Sequence, residues 1–330
     1  MEGMQPDTYA AGVRQRYEEL PPAVHDWVAL QLGAPVVTVQ NKVGGFSPGA
    51  AAVVSDGQGH ELFVKGGGAG VNPDSVSLYT REAENGLRLP AVEGIVTPLA
   101  AARLEVEAAA FQVIVYPALP GSTPRHPWQT SELTVVLDAL DQLSRRLTPS
   151  PWPASAADEA LLGFFHGWEA IAAGGHHPWH DGAWVRPRLG QLVDVEQQVL
   201  AALPGDTLTH IDLRADNIIR SGDQVWFVDW AHAQNCASWV DAAILIGDVI
   251  TSRADRGDGG SIDVAEVIRG HPSLHAAPFE TVWGLQLCLA GAMHTMSRRP
   301  DPPGLPTIRG WQGRSAETLL GWCRRESPLG

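Results

Sequence analysis

The chain has 330 residues, 44% of them hydrophobic and 18% charged, with a formal net charge of -14. This is the composition of a globular protein long enough for one large domain or two lobes with sizeable cores, not of a disordered chain. Nucleic-acid binding driven by phosphate contacts needs a basic surface and a membrane span needs a longer apolar run than any present, so both classes are disfavoured. The acidic balance suits a cationic partner, and solubility alone explains it equally well.

Cys236, Cys288 and Cys323 are too few and too widely spaced for a disulfide framework or a zinc site, and read as buried or reduced thiols. Met1 to Ala10 is polar and lacks an apolar core for export, so the expected location is cytoplasmic. There is no internal repeat.

In chain order, Pro21 to Gly33 reads as a helix, with apolar residues at helical spacing and a glycine stop. The pattern then changes to strands at Val36–Gln40, Ala50–Ser55 and Glu61–Lys65, with Asp56-Gly57-Gln58-Gly59 as a turn. Between the first two strands lies a glycine-rich segment containing Gly44, Gly45, Phe46 and Ser47. Such a loop lets backbone amides approach phosphate oxygens, although ordinary hairpin loops are also glycine-rich. Without a Walker lysine it is not a P-loop.

Lys65 ends the third strand. The next predicted helix, Val76 to Leu89, places Glu82 among Tyr79, Ala83 and Leu87, whereas Glu84 falls on another face. Taken alone, these read as a strand-end lysine and a solvated glutamate. Gly66 to Gly70 reads as a mobile connection, and Asn72 to Ser75 as the helix start. Ile95–Ala100 and Arg103–Glu107 read as a strand pair, and Phe111–Tyr116 as a buried strand leading into the stiff connector Pro117–Gly121.

Helical patterns follow at Ser131–Leu147, Asp158–Ala173 and Gly190–Leu203. His176-His177-Pro178-Trp179-His180 lacks the spacing that converges on one ion and reads as a loop. Beyond residue 237, Ser238–Asp248, Pro278–Ser297 and Arg314–Arg325 read as helices, and Arg253–Gly260 as an exposed loop.

The most informative stretch is Thr209 to His232, T-H-I-D-L-R-A-D-N-I-I-R-S-G-D-Q-V-W-F-V-D-W-A-H. Asn217–Arg220 and Val225–Val228 flank Ser221-Gly222-Asp223, a hairpin signal that brings Asn217 toward Asp229. Phosphoryl transfer needs an aspartate beside the attacking hydroxyl, and an amide oxygen and a carboxylate for magnesium. Asp212, Asn217 and Asp229 are the candidates.

At these residues the chain resembles the aminoglycoside phosphotransferase and choline kinase family, whose loop reads His-Gly-Asp-Leu-His-Pro-Gly-Asn, followed by Asp-Trp. Here Ile211 replaces the first glycine, Arg214 the second histidine, Ala215 the proline and Asp216 the second glycine, and Ala231-His232 follows where many relatives have glutamate. The resemblance implies an α+β, two-lobed protein-kinase-like fold: residues 1–117 as an N-terminal antiparallel sheet with one helix (after a leading helix at about 21–33), and 118–330 as a mostly helical lobe.

It also implies roles. Catalysis would use His210, Asp212 and Arg214, the last a fixed cation near the transferred phosphate. ATP or GTP would be held by Gly44, Gly45, Phe46, Ser47, Lys65 and Glu82, with Tyr116 and Ala118 at a hinge reading the base. Mg2+ would be held by Asn217 and Asp229. Asp216 pairs with Arg214 or a substrate amine, or is a solvated loop residue; Asp241 braces the catalytic loop or is a helix N-terminal acid; His232 meets the acceptor or packs. The expected activity is transfer of a terminal phosphate to a small-molecule hydroxyl, with aminoglycosides or amino sugars as one class of acceptor and no nucleic-acid or membrane partner. The rivals are a protein kinase, against which no Asp-Phe-Gly or Ala-Pro-Glu is present, and a non-catalytic nucleotide-binding module. The sequence leaves oligomeric state open.

Overall fold

The computed structural model describes residues 14–42, 48–70, 72, 74–106, 109–152, 164–174, 182–252 and 262–329. The chain divides into two units: Met1–Ser122 with Ile219–His232 and Pro300–Ile308, and Thr123–Ile218 with Ala233–Arg299 and Arg309–Gly330.

In the first unit, β1 (Thr38–Asn41), β2 (Ala50–Ser55), β3 (Glu61–Gly68), β4 (Ala100–Val106) and β5 (Ala109–Pro117) form an antiparallel sheet in the order β1-β2-β3-β5-β4. The strand period of two decides what each face carries. Ala50, Ala52, Val54, Leu62, Val64, Val113 and Val115 are buried in one cluster with Val24 and Val28 of helix α1 (Pro22–Leu32). The opposite face bears Ile114, which packs with Tyr79 and Ala83 of helix α2 (Ser75–Gly86). Lys65 pairs with Ile114 across the β3/β5 ladder. Directly paired residues share a face, so the strand register places this lysine on the α2 side. Helix α1 starts with proline at its first position and stops at Gly33, whose φ of 78° is the left-handed cap glycine tolerates.

Two expectations are corrected here. The residues read as a strand pair, 95–100 and 103–107, yield a single strand, β4, which pairs with β5. Pro98 has no N–H for a ladder, and pairing begins only at Leu99, whose amide donates to the Val115 carbonyl at 2.8 Å. Ile95 makes one isolated parallel bridge to Phe227. Gly66–Gly68, expected to be mobile, completes β3 instead. A Cβ on Gly67 would lie 2.8 Å from the Tyr79 ring and one on Gly68 2.9 Å from the Phe111 ring, so glycine lets aromatic rings rest on the strand. The expected hairpin is present as β7 (Ile218–Ser221) and β8 (Gln224–Phe227), turning at Gly222 with φ 59°.

The second unit is mainly helical, with helices at Thr130–Arg146, Gly167–Gly174, Leu189–Ala202, Val240–Thr251, Val264–Gly270 and Phe279–Ser297, and most of Ile308–Arg325. A short ladder of β6 (Pro204–Thr209) and β9 (Gln234–Cys236) was not anticipated; its strands are too short and polar for a readable alternation. The Val264–Gly270 helix, a short one capped by Asp263, was likewise unread. The Val240–Thr251 helix is buried at every residue from Val240 to Ile250, two aspartates included. The His176–His180 motif, the Arg253–Gly260 loop and the start of the helix expected from Asp158 lie outside the described residues. All three cysteines are free and buried. No helix among the described residues is long and apolar enough to cross a membrane.

Candidate phosphoryl-transfer site

In the first unit, three charged groups distant in sequence converge. Lys65 Nζ lies 2.8 Å from Glu82 Oε2 and 2.7 Å from Asp229 Oδ2. Glu82 reaches the lysine because α2 buries Tyr79, Glu82, Ala83 and Gly86, the helical i, i+3, i+4, i+7 face. Lys65 is 7% and Glu82 1% exposed, so neither is the solvated side chain that each would be in isolation. The Tyr116 hydroxyl donates to Glu82 Oε1 at 2.9 Å, and the ammonium sits 5.5 Å from the centre of the Tyr79 ring.

Two carboxylates share this one cation, and both partners feel it. Burial alone would lower the Lys65 pKa, but Asp229 and Glu82 outweigh it and hold the ammonium above its ordinary range. Glu82 is pushed up to about 7, chiefly by burial and with a further push from Asp229, against the pull of Lys65. Asp229 itself has a φ of 70°, unusual for a residue with a side chain. The backbone just after it is held by α2: Asn85 Nδ2 donates to the Trp230 carbonyl at 2.9 Å.

In the second unit, the loop from His210 to Asn217 is built around Asp212. Asp212 Oδ1 accepts from Arg214 Nη1 at 2.8 Å, and Asn217 Nδ2 donates to the Asp212 carbonyl at 2.7 Å and to its Oδ2 at 3.2 Å. Asp216 takes the other side of the guanidinium, at 3.0 and 3.3 Å, so of the three roles open to it the ion pair with Arg214 is the one observed. His210 is fully buried, and its Nδ1 accepts the Asp212 amide at 3.2 Å; it meets Asp212 through the backbone, not through solvent.

Ile211, standing where the family has glycine, has a φ of 71°. A β-branched residue is strained there. Asp241 holds the strained turn: its two oxygens accept the His210 amide at 2.7 Å and the Ile211 amide at 2.8 Å. It is therefore the brace rather than a mere helix-end acid, and burial raises its pKa.

Asp248 was missed. One turn-pair further along the same helix, its Oδ2 accepts the Ala215 amide at 3.0 Å and the Trp128 indole N–H at 2.8 Å. The available signal was two acids seven residues apart in an otherwise apolar helix, which puts both on one face. Asn85 was missed too, and only its i, i+3 relation to Glu82 hinted at it. Gly44, Gly45, Phe46 and Ser47 lie outside the described residues. Ala118 lies in the connector just after β5. His232 is exposed.

The model of the phosphotransferase enzyme family, APH, matches residues 72–276. Among solved structures the chain is similar to a thermostable mutant of aminoglycoside phosphotransferase APH(4)-Ia in ternary complex with ADP and hygromycin B, at 12% identity over 93% of this chain and 99% of that one, TM-score 0.57. It is similar to choline kinase LicA from Streptococcus pneumoniae at 14% identity over 91% and 98%, TM-score 0.55. It is also similar to amicoumacin kinase hAmiN in complex with AMP-PNP, Ca2+ and Ami, at 12% identity over 88% and 93%, TM-score 0.54. At such identities the likeness establishes the fold, which is kinase-like. No curated protein matches by sequence.

Proposed function

Since the chain belongs to the phosphotransferase enzyme family, we propose that it moves the terminal phosphoryl group of ATP or GTP onto a hydroxyl of a small molecule, with amine-bearing sugars of the aminoglycoside kind as its acceptors. The observation that carries the reading is the convergence of Lys65, Glu82 and Asp229. Burying charges costs several kcal/mol per ion unless they are well paired, and folding a sheet does not require it. Phosphate binding does: a lysine aimed by a glutamate neutralises nucleotide phosphates, and a second carboxylate supplies a metal ligand.

The remaining roles follow from the contacts. Asp212 orients the acceptor hydroxyl and takes its proton late, because the transition state is loose and bond formation lags. Arg214 offers a fixed planar cation to the transferred phosphate, and Asp216 keeps its guanidinium aimed. His210 fixes the Asp212 backbone. Asn217 commits its Nδ2 to Asp212, leaving Oδ1 as a candidate ligand; that amide oxygen and the Asp229 carboxylate are each of the hard type that Mg2+ takes. When bound, Mg2+ would neutralise charge on the phosphate oxygens. Tyr116 and Ala118 remain the proposed hinge contacts to the base.

The acceptor class is supported by the structural neighbours, whose names include hygromycin B, choline and amicoumacin as ligand or substrate, and by the acidic net charge. The experiment is phosphate transfer from nucleotide to a panel of aminoglycosides, amino sugars and amino alcohols. Asp212→Ala is expected to keep nucleotide binding by thermal shift and to lose about 10²- to 10⁴-fold in kcat. Asp229→Ala is expected to lose Mg2+-dependent nucleotide binding. Full turnover in the Asp212 variant would remove the assignment, and label appearing on protein rather than on small molecules would move it to protein phosphorylation.

A further inference from the structure

The Val240–Thr251 helix contains two charged side chains, both buried among residues of the helix that are otherwise apolar: Asp241 at 6% and Asp248 at 5% exposure. A buried carboxylate must have its lone pairs used, and each of these uses them on the loop that carries Asp212. Asp241 takes the amides of His210 and Ile211, just before the base. Asp248 takes the amide of Ala215, between Arg214 and the pair Asp216-Asn217. The loop is thus pinned on both sides of Asp212 by acids on one helix face.

We propose that Asp248 is a positioning residue of the phosphotransferase: through the Ala215 amide it sets where Arg214 and Asn217 stand. This rests on the reading of residues 210–217 as the catalytic loop. The surroundings of Asp248 are built for that task. The oxygen that accepts Ala215 also accepts the Trp128 indole, the other oxygen lies 3.7 Å from His126 Nε2, and the Trp128 backbone amide in turn lies 3.4 Å from Ser252 Oγ on the turn following the helix. The carboxylate has donors on both sides and cannot rotate away from Ala215 without losing one. Its pKa, which burial alone would raise, is instead held below the ordinary range by the donors around it, His126 foremost.

The consequence is specific. Asp248 holds the loop by the Ala215 amide, and Asn217 is two residues beyond that amide. Displacing that amide shifts a magnesium ligand and the Arg214 guanidinium together, and misplacement of about 1 Å can cost about 10²-fold in rate. Asp248→Asn can keep an oxygen toward Ala215 and Trp128 and is expected to stay within about 3-fold of wild type in kcat. Asp248→Leu fills the space but leaves the Ala215 N–H without an acceptor. It is expected to lose about 10²-fold in kcat per folded molecule and to need a higher Mg2+ concentration for half-maximal rate.

Trp128→Phe separates positioning from packing. It removes one donor from Asp248 but leaves the Ala215 bond, so it should lower the melting temperature while costing far less in kcat and in half-activating Mg2+ concentration per folded molecule than Asp248→Leu does. A folded Asp248→Leu variant with wild-type kcat and Mg2+ response overturns the proposal. Should that variant not fold, amide exchange in the wild-type protein decides: protection of the Ala215 amide supports the proposal, and exchange at open-loop rates sinks it. Asp212→Ala run alongside tells the two readings apart. If it stays active, the catalytic-loop assignment fails; if it is inactive while Asp248→Leu is not, only the role of Asp248 fails.

Discussion

Of the four replacements in the loop pattern of the family, the one at Ile211 carries a backbone cost. Ile211 sits at φ 71° where glycine would be unstrained, and the strain is held by the two oxygens of Asp241. The left-handed region costs a side-chain-bearing residue about 1–2 kcal/mol, so Ile211→Gly and Ile211→Ala should diverge. The glycine variant is expected to be about 1 kcal/mol more stable than the alanine variant in denaturant unfolding, against the usual preference for alanine. Equal stabilities would mean that the turn relaxes in solution.

Glu82 gives the second residue-scale prediction, with opposite signs for stability and for binding. Its pKa rises from an ordinary 4.5 to about 7 on folding, so the folded state favours the protonated form. Its contribution to stability is therefore full below the unfolded value and is lost as pH rises through the folded one. In the proposed function, nucleotide binding needs the ionised form to aim Lys65. The nucleotide half-saturation constant should rise as pH falls below about 7, and Glu82→Gln should bind weakly with that pH dependence flattened. An unchanged pH profile in Glu82→Gln would show that another group governs it.

At the scale of elements, β3 and α2 are fitted to one another by the absence of side chains. The run Gly66–Gly68 looks like a flexible tether in sequence, yet it is paired strand because Tyr79 and Phe111 occupy the space that Cβ atoms would fill. Gly67→Ala would press a methyl against the Tyr79 ring at 2.8 Å. Overpacking of this kind costs about 1–3 kcal/mol. Because Tyr79 lies beside the Lys65 ammonium, the loss should appear both in the melting temperature and as weaker nucleotide binding. A variant with native stability and affinity would show that α2 can shift outward without consequence.

For the whole molecule, the net charge of -14 makes a prediction about the acceptor. An acidic protein attracts cations over a Debye length of about 8 Å at physiological ionic strength. KM for a polyamine acceptor should therefore rise with added salt, whereas KM for a neutral sugar alcohol should not. Salt-insensitive KM values for charged acceptors would leave the acidic balance to solubility alone.

The amino-acid sequence determined what depends on local period and on residue type at short spacing. The sheet strands at Ala50–Ser55 and near Phe111–Tyr116, helix α2 with Glu82 on its buried face, and the hairpin at Gly222 were all legible, because strand alternation, helical repeat and turn chemistry each act over a few residues. Tertiary structure alone decided the rest. It made Gly66–Gly68 a strand, joined Asp216 to Arg214, and turned Asp241 and Asp248 from two acids in an apolar helix into braces for a loop some thirty residues away. The physical reason is that a buried carboxylate takes its meaning from the donors that satisfy it, and those donors are brought to it by folding rather than by sequence.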